Sequence, residues 1–286
     1  MRSLFVLFQY LVPQHLLSRL VGRFAASETV WLRRIFIRWF IRRYRVDLSE
    51  ALHSDPDSYT SFNDFFTRRL LPDARTIDSG HGSVVSPADG AICALGNIRD
   101  RQLIQAKKRV FSLFELLGGD AQDVEPFRDG SFVTIYLSPR DYHRVHMPVA
   151  GQLLRTRYIP GRLFSVNQLT AESVPNLFAR NERLVCWFDT DLGPMVQIMV
   201  GAMIVAGIET VWSGQVCPGS RGLTVNDYSS HSPPIQLAKG EEMARFKLGS
   251  TVITLFGPGA VTLNETLRSG STVRMGETLA SVNPSA

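Results

Sequence analysis

The chain has 286 residues, of which 44% are hydrophobic and 20% charged; that is long enough for a real core and excludes a disordered or fibrous class. Its net charge of +5 is unevenly placed. Nine arginines against the single acid Glu28 put residues 1–45 near +8, and the remaining 22 basic and 25 acidic residues leave about −3, so the N-terminal segment should face an anionic partner.

Residues 4–12 are almost wholly apolar but stop at Pro13, and Arg19 and Arg23 interrupt the next stretch. No run of about 20 apolar residues spans a bilayer there. Pro13, His15, Arg19 and Arg23 also argue against a secretory signal. From 31 to 45 the spacing predicts a helix, with Arg34, Arg38, Arg42 and Arg45 on one stripe and Trp31, Leu32, Ile35, Phe36, Trp39 and Phe40 opposing it. Tryptophans beside a basic excess fit a helix lying in a membrane interface; the alternative is a surface helix packed on its own core. A boundary follows at 47–61, with the turn cluster Ser54-Asp55-Pro56-Asp57. Phe62, Phe65, Phe66 and Leu70 then recur at helical spacing until Pro72 and read as core.

Beyond Pro72 the texture turns to strands at 90–95, 131–137, 184–188, 195–208 and 246–256, with short helices at 111–117 and 176–180. Stretches 85–92, 147–154 and 273–282 share a turn followed by a strand, a pattern that suggests duplicated hairpin units like those of biotinyl and lipoyl carriers. The fold class expected is α+β: amphipathic N-terminal helices over residues 1–58, then a β-rich, sandwich- or barrel-like catalytic domain over 59–286. Cys93, Cys186 and Cys217 form no CxxC pair and read as reduced thiols in a cytosolic environment.

One of these runs carries polar punctuation. Leu248-Gly249-Ser250-Thr251 interrupts 246–256, where Gly249 alone would mark a bulge and Ser250 a local hydrogen bond. Together with Ser86-Pro87-Ala88-Asp89-Gly90 and Asp141-Tyr142-His143-Arg144-Val145-His146-Met147-Pro148, however, it resembles the phosphatidylserine decarboxylase proenzymes. Phe62-Asn63-Asp64-Phe65-Phe66-Thr67-Arg68, Tyr158-Ile159-Pro160-Gly161, Phe178 with Asn181-Glu182-Arg183, and Val200-Gly201-Ala202-Met203 extend the resemblance from about Tyr59 to the C-terminus.

The resemblance implies that the chain cuts itself between Gly249 and Ser250, leaving a β chain of 1–249 and an α chain of 250–286 as a heterodimer. Asp89 and His146 would serve as charge-relay partners of the nucleophile Ser250, which becomes a covalent pyruvoyl group. The trio has a chemical rationale: a serine hydroxyl is barely ionised, an imidazole takes its proton, and a carboxylate fixes the tautomer. Attack on the preceding peptide also needs the freedom that Gly249 supplies. Phosphatidylserine would form a Schiff base with the ketone, lose CO2 and leave as phosphatidylethanolamine. His143 is the candidate for proton donation or substrate positioning, and Arg144 and Arg162 are candidates for the phosphate. His143 and His146 stand three apart between Pro139 and Pro148, in loop running into strand, so no metal site is expected. The implied setting is peripheral, on the cytoplasmic side of the cell membrane, with an anionic membrane surface as partner, no nucleic acid, and room for a higher oligomer.

Two other classes use similar residues. A serine hydrolase or lipase would place its nucleophile in a Gly-x-Ser-x-Gly elbow, which Lys247-Leu248-Gly249-Ser250-Thr251 is not. A carrier module would need a lysine in Ser271-Thr272-Val273-Arg274-Met275-Gly276-Glu277, and none is there.

Overall fold

A computed structural model of the chain describes residues 9–10, 12–106, 109–166, 168–203, 207–217, 222–248 and 251–283, without the side chains of 106, 109, 168 and 169. Gly249 and Ser250 therefore lie outside the described residues, as does most of the apolar run at 4–12.

Pro13 precedes α1 (Gln14–Ala25), which turns a polar stripe inward: Gln14 and Ser18 are buried, while Leu16 and Leu20 are 56% and 54% exposed. The inward glutamines have backbone partners far along the chain. Gln14 Oε1 accepts the Leu163 N–H and Gln9 Oε1 the Ser165 N–H, both at 2.8 Å. α2 (Val30–Tyr44) buries Ile37 and Phe40 but leaves Trp31, Ile35 and Trp39 exposed. The aromatic face expected over 31–45 is thus divided between core and solvent, and of the arginine stripe Arg34 and Arg38 pair with Asp57. Phe36 and Phe40 pack on Phe62 of α3 (Phe62–Phe66), whose first turn is capped by Ser61. α3 stops short of the Leu70 that spacing predicted, because the chain there leaves in extended pairing: Leu52 donates to the Arg69 carbonyl at 2.8 Å and Ala51 bridges Leu70.

The remaining elements follow in order as β1 (Ser83–Val85), β2 (Gly90–Asn97), β3 (Gln102–Ala106), β4 (Arg109–Ser112), α4 (Leu113–Leu117), α5 (Ala121–Val124), β5 (Ser131–Tyr136), β6 (Arg144–His146), β7 (Gly151–Ile159), α6 (Gln168–Ser173), α7 (Leu177–Arg180), β8 (Arg183–Thr190), β9 (Gly193–Val200), β10 (Gly207–Thr210), β11 (Gly214–Cys217), β12 (Thr224–Asp227), β13 (Gln236–Leu237), β14 (Glu242–Lys247), β15 (Thr251–Phe256), β16 (Val261–Leu263), β17 (Thr272–Val273) and β18 (Thr278–Val282). The fold is α+β, with antiparallel sheets that do not close into a barrel. A nine-stranded sheet runs β12-β7-β8-β9-β15-β5-β2-β17, with β13 also on β7; a four-stranded sheet runs β11-β10-β14-β6; β18 lies between β1 and β16.

β15 is buried along its whole length at the centre of the large sheet. Alternation then divides its side chains between two cores, as a strand covered on both faces requires. Ile253 and Leu255 join a core with Phe132, Val185 and the residues of α4, whereas Val252 and Phe256 join one with Val145, Met147, Met243 and Phe246 of the smaller sheet. A third cluster holds Phe40, Phe62, Phe65 and Phe66 from the N-terminal helices and includes Leu248.

Four expectations need correction. The run 195–208 is two strands of different sheets, because past Val200 the Gly201 N–H turns to the Glu182 carbonyl at 2.8 Å. The run 246–256 is likewise two strands, β14 and β15, in different sheets. Stretches 85–92 and 273–282 do not close on themselves; β1 pairs with β18 and β2 with β17. Finally, Phe111 and Ser112 end β4, and Ser112 caps the helix that begins at Leu113.

Candidate active site

The chain crosses from the smaller sheet to the larger between Lys247 and Thr251. Leu248, the described residue in that crossing, has φ +72°, a left-handed conformation that costs a side-chain-bearing residue about 1–2 kcal/mol. Its side chain packs against the aromatic cluster of α2 and α3, which holds the strained residue in place.

Sheet register fixes what surrounds the corner. Thr251 stands opposite Tyr136 on one side and Val200 on the other, and Tyr136 stands opposite Ala91. The same sheet end therefore gathers the start of β2, the end of β5, the start of β15 and the end of β9. Gly90 is required there, because a Cβ would come within 2.3 Å of the Tyr136 carbonyl oxygen. Thr251 Oγ1 is buried with no hydrogen-bond partner among the described residues.

Asp89 precedes that glycine in a turn closed by the Ser86 hydroxyl donating to the Ala88 carbonyl at 2.8 Å. Its carboxylate is gripped by Arg75: Nε donates to Oδ1 at 3.0 Å, Nη2 donates to Oδ2, and the Met275 N–H adds a bond of 2.9 Å to Oδ1. Arg75 Nη1 also reaches Glu50 at 2.8 Å. Burial works against the guanidinium charge, but the Asp89 and Glu50 carboxylates outweigh it and hold the Arg75 pKa above its ordinary value.

His146 lies on the adjoining segment, its N–H donating to the Pro87 carbonyl at 2.8 Å. Its ring is held at both nitrogens, Nδ1 at 2.8 Å from the Gly240 carbonyl oxygen and Nε2 at 3.0 Å from the Tyr142 hydroxyl. A carbonyl only accepts, so Nδ1 carries the proton and Nε2 accepts from the tyrosine. Burial lowers the His146 pKa, opposed in part by the Gly240 bond and the Glu242 and Asp89 charges. Asp89 thus bears on His146 through its charge, while the orienting bond expected of a carboxylate comes from Gly240.

His143 has different surroundings. It is 1% exposed, its ring lies 4.0 Å from that of Phe66, and Nδ1 sits 2.8 Å from the Asp141 carbonyl oxygen. By the same argument Nδ1 holds the proton and Nε2 is a bare lone pair, and Nε2 has no partner among the described residues. Burial, with the nearby Arg68 charge, pushes its pKa down to about 3. The Phe246 N–H donates to the His143 carbonyl at 2.9 Å, which brings this ring alongside the approach to the corner. Arg68 is 5% exposed; Nη2 donates to the Arg140 and Asp141 carbonyls at 3.0 and 3.3 Å, while Nε and Nη1 have no partner among the described residues. A buried cation with two spare donors favours an anion beside it.

Of the residues that sequence singled out, Asp89 adjoins Gly90 at the start of β2 and the His143 carbonyl meets Phe246 next to Lys247, whereas His146 stands opposite Glu242 at the other end of β14; Ser250 and Gly249 lie outside the described residues. Arg144 is committed elsewhere, donating to the Thr67 carbonyl and to Glu242 at 2.9 and 2.5 Å, and Arg162 is exposed. Sequence reasoning missed Arg75, Arg68, Tyr142 and the Gly240 carbonyl. Tyr142 and Arg68 stood inside the motifs; Arg75 and Gly240 carried no signal. Among the described residues no group of three His, Cys, Asp or Glu could hold a metal, and all three cysteines are free.

A family model described as phosphatidylserine decarboxylase matches residues 62–281, and a second, described as PSD, matches residues 4–45. A phosphatidylserine decarboxylase proenzyme of Ectopseudomonas mendocina is 57% identical over 279 residues, covering 97% of this chain and 98% of that protein. Proenzymes of the same name from Pseudomonas putida strain W619 and Pseudomonas fluorescens strain Pf-5 are 57% and 55% identical, the latter over 100% of this chain and 99% of its own length.

Proposed function

The chain belongs to the phosphatidylserine decarboxylase family, and from that premise we propose that it is made as a precursor that cuts itself between Gly249 and Ser250 and then decarboxylates phosphatidylserine to phosphatidylethanolamine. Members of this family are carbon–carbon lyases of the carboxy-lyase type. The observation that carries the reading is the corner itself: a left-handed Leu248, clamped by aromatics, one residue before the Gly249–Ser250 link.

In the self-cleavage, Ser250 Oγ adds to the Gly249 carbonyl carbon and gives its proton to a base, and the C–N bond breaks as the Ser250 nitrogen is protonated, leaving an ester. Elimination across Cα–Cβ frees the Gly249 carboxylate and leaves dehydroalanine; tautomerisation and hydrolysis, with loss of ammonia, leave a pyruvoyl ketone at 250. His146 is the base. Its proton sits on Nδ1 and its Nε2 accepts from the Tyr142 hydroxyl, so the serine proton reaches it through that hydroxyl, which takes the proton as it passes its own to Nε2. Asp89 favours the imidazolium through its charge, and the Arg75 clamp keeps it in position.

Thr251 Oγ1, on the next residue, and His143 Nε2 are buried with no hydrogen-bond partner among the described residues, which fits a small polar group at position 250. When formed, the pyruvoyl supplies a carbonyl for the substrate amine and a sink for the electron pair that CO2 leaves behind. His143 positions rather than donates, because its Nε2 carries no proton at neutral pH. Phe66, tilted against the His143 ring at 4.0 Å, keeps water from that side.

Residues 1–58 form the membrane-associating segment on the catalytic domain of 59–286. Support comes from α1, which buries Gln14 and Ser18 and exposes Leu16, Leu20 and Phe24, and from exposed Trp31, Ile35 and Trp39 on α2. No helix among the described residues is long and apolar enough to cross a membrane. From the family and these exposed apolar faces we place the protein peripherally, on the cytoplasmic side of the cell membrane. Intact mass and gel analysis test the central claim. The expected result is two chains, 1–249 and 250–286, with Ser250→Ala giving one inactive chain; a single chain with unmodified Ser250 in active enzyme would refute it.

A further inference from the structure

Between α1 and the ends of the strands lies a cavity of about 320 Å³. His15, Arg19 and Arg23 line it from the helix, and Glu182, Gly201 and Lys247 line it from the catalytic domain. Two of these residues bracket the corner. Lys247 ends β14, and Gly201 follows Val200, the Cα partner of Thr251. The cavity therefore lies beside the two described ends of the crossing from Lys247 to Thr251.

The charges on its walls are unequal in their freedom. Lys247 Nζ is occupied by Glu209 at 2.7 Å and Gln215 at 3.1 Å. Glu182, with a side chain 5% exposed, lies 3.9 Å from His15 Nδ1. Arg19 and Arg23 have no acidic partner among the described residues, although they stand on successive turns of one helix face.

Their place around α1 indicates what they would hold. At about 100° per residue, the buried Gln14, Ser18 and Ala25 form the inward stripe. Gly22 and His15 come next, facing the cavity; Arg19 and Arg23 follow; and exposed Leu16, Leu20 and Phe24 complete the turn. The two guanidinium groups thus stand between the cavity's polar side chains, His15, Glu182 and Lys247, and an apolar rim. A glycerophospholipid has the same order: polar headgroup, phosphodiester, acyl chains.

We propose that this cavity is the headgroup site for a glycerophospholipid, with Arg19 and Arg23 binding its phosphodiester while the acyl chains run over Leu16, Leu20 and Phe24. This inference rests on the decarboxylase reading. It makes α1 one wall of the substrate site as well as a means of attachment.

The test uses the full-length self-processed protein and dihexanoyl-phosphatidylserine below its micellar concentration, so that adsorption to a bilayer plays no part. For R19Q/R23Q, self-cleavage goes to completion, the KM for this soluble lipid rises about tenfold or more, and kcat changes less than KM. Gly22→Leu fills the cavity without altering charge and raises KM as well. An unchanged KM in R19Q/R23Q, with loss of binding confined to anionic vesicles, would mean that the arginines serve the membrane surface and would overturn the assignment. An unchanged KM in Gly22→Leu would equally empty the cavity of its role. If the unaltered chain neither cuts itself nor releases CO2 from the lipid, the decarboxylase reading itself fails, and that outcome is distinct from both.

Discussion

Replacing His143 by Gln should make the fold markedly less sensitive to acid. The imidazole is fully buried, neutral and held at a pKa of about 3, against an ordinary value of 6.5. Between those values the unfolded chain binds a proton that the folded chain refuses, so stability falls as pH drops from above 6.5 toward 3. At 1.36 kcal/mol per pH unit, this one group removes about 2 kcal/mol between pH 7 and pH 5. His146, also lowered by burial, pushes the same way, and Asp141, whose carboxyl burial raises, pushes oppositely; both are present with and without the substitution and drop out of the difference. The assay is urea unfolding at pH 7 and pH 5 in a Ser250→Ala background, which keeps the protein as one chain. The pH-dependent loss should shrink by about 2 kcal/mol in His143→Gln. A difference below about 0.5 kcal/mol would show that the ring is solvated or protonated in the folded state, and the reading of Nε2 as a bare buried lone pair would be wrong.

Asp89→Asn leaves the largely buried Arg75 with Glu50 as its remaining carboxylate, and should cost about 3 kcal/mol by the usual penalty for breaking a buried pair; thermal unfolding of the uncut chain measures it, and a loss under about 1 kcal/mol would make the clamp incidental. Gly90→Ala forces β2 away from β5, because the new Cβ meets the Tyr136 carbonyl oxygen at 2.3 Å. A gel time course should show cutting slowed or abolished, and normal cutting would mean that the sheet end tolerates the shift. Replacing Trp31, Ile35 and Trp39 together by Ser removes three side chains that are 65%, 64% and 49% exposed. At about 1.5 kcal/mol or more each, vesicle flotation should show affinity lowered at least about 100-fold with cutting intact; unchanged flotation would remove α2 from the membrane contact.

Side-chain chemistry and periodicity made much of the fold legible. Val252, Ile253, Leu255 and Phe256 announced a buried strand, and Phe62, Phe65 and Phe66 a core helix, because apolar spacing reports directly on burial. The crossing between sheets was not legible. An apolar run reads the same whether it stays in one sheet or changes sheets, and what breaks 246–256 is the left-handed backbone of Leu248, a residue with no turn preference. The inverted polarity of α1 was hidden for a related reason: Gln9 and Gln14 find their partners in backbone amides about 150 positions away. The motif histidines were visible, but the atom that orients His146 is the Gly240 carbonyl, and a main-chain acceptor leaves no residue signature.

The topology also explains how a chain can be severed at such a place without losing its fold. Of the four described strands after residue 250, three pair with strands that come before it. β15 lies between β5 and β9, β17 lies on β2, and β18 pairs with β1 as well as with β16. A cut at 249–250 therefore removes one covalent link and none of the six-residue ladders that flank β15 on either side. It releases only what strain held in the crossing, including the about 1–2 kcal/mol carried by Leu248. On the proposed cut the new chain would begin one residue before Thr251, which is anchored between Tyr136 and Val200. That is the arrangement a catalytic group built from a chain terminus needs: a free end that chemistry can use, on a strand that cannot move.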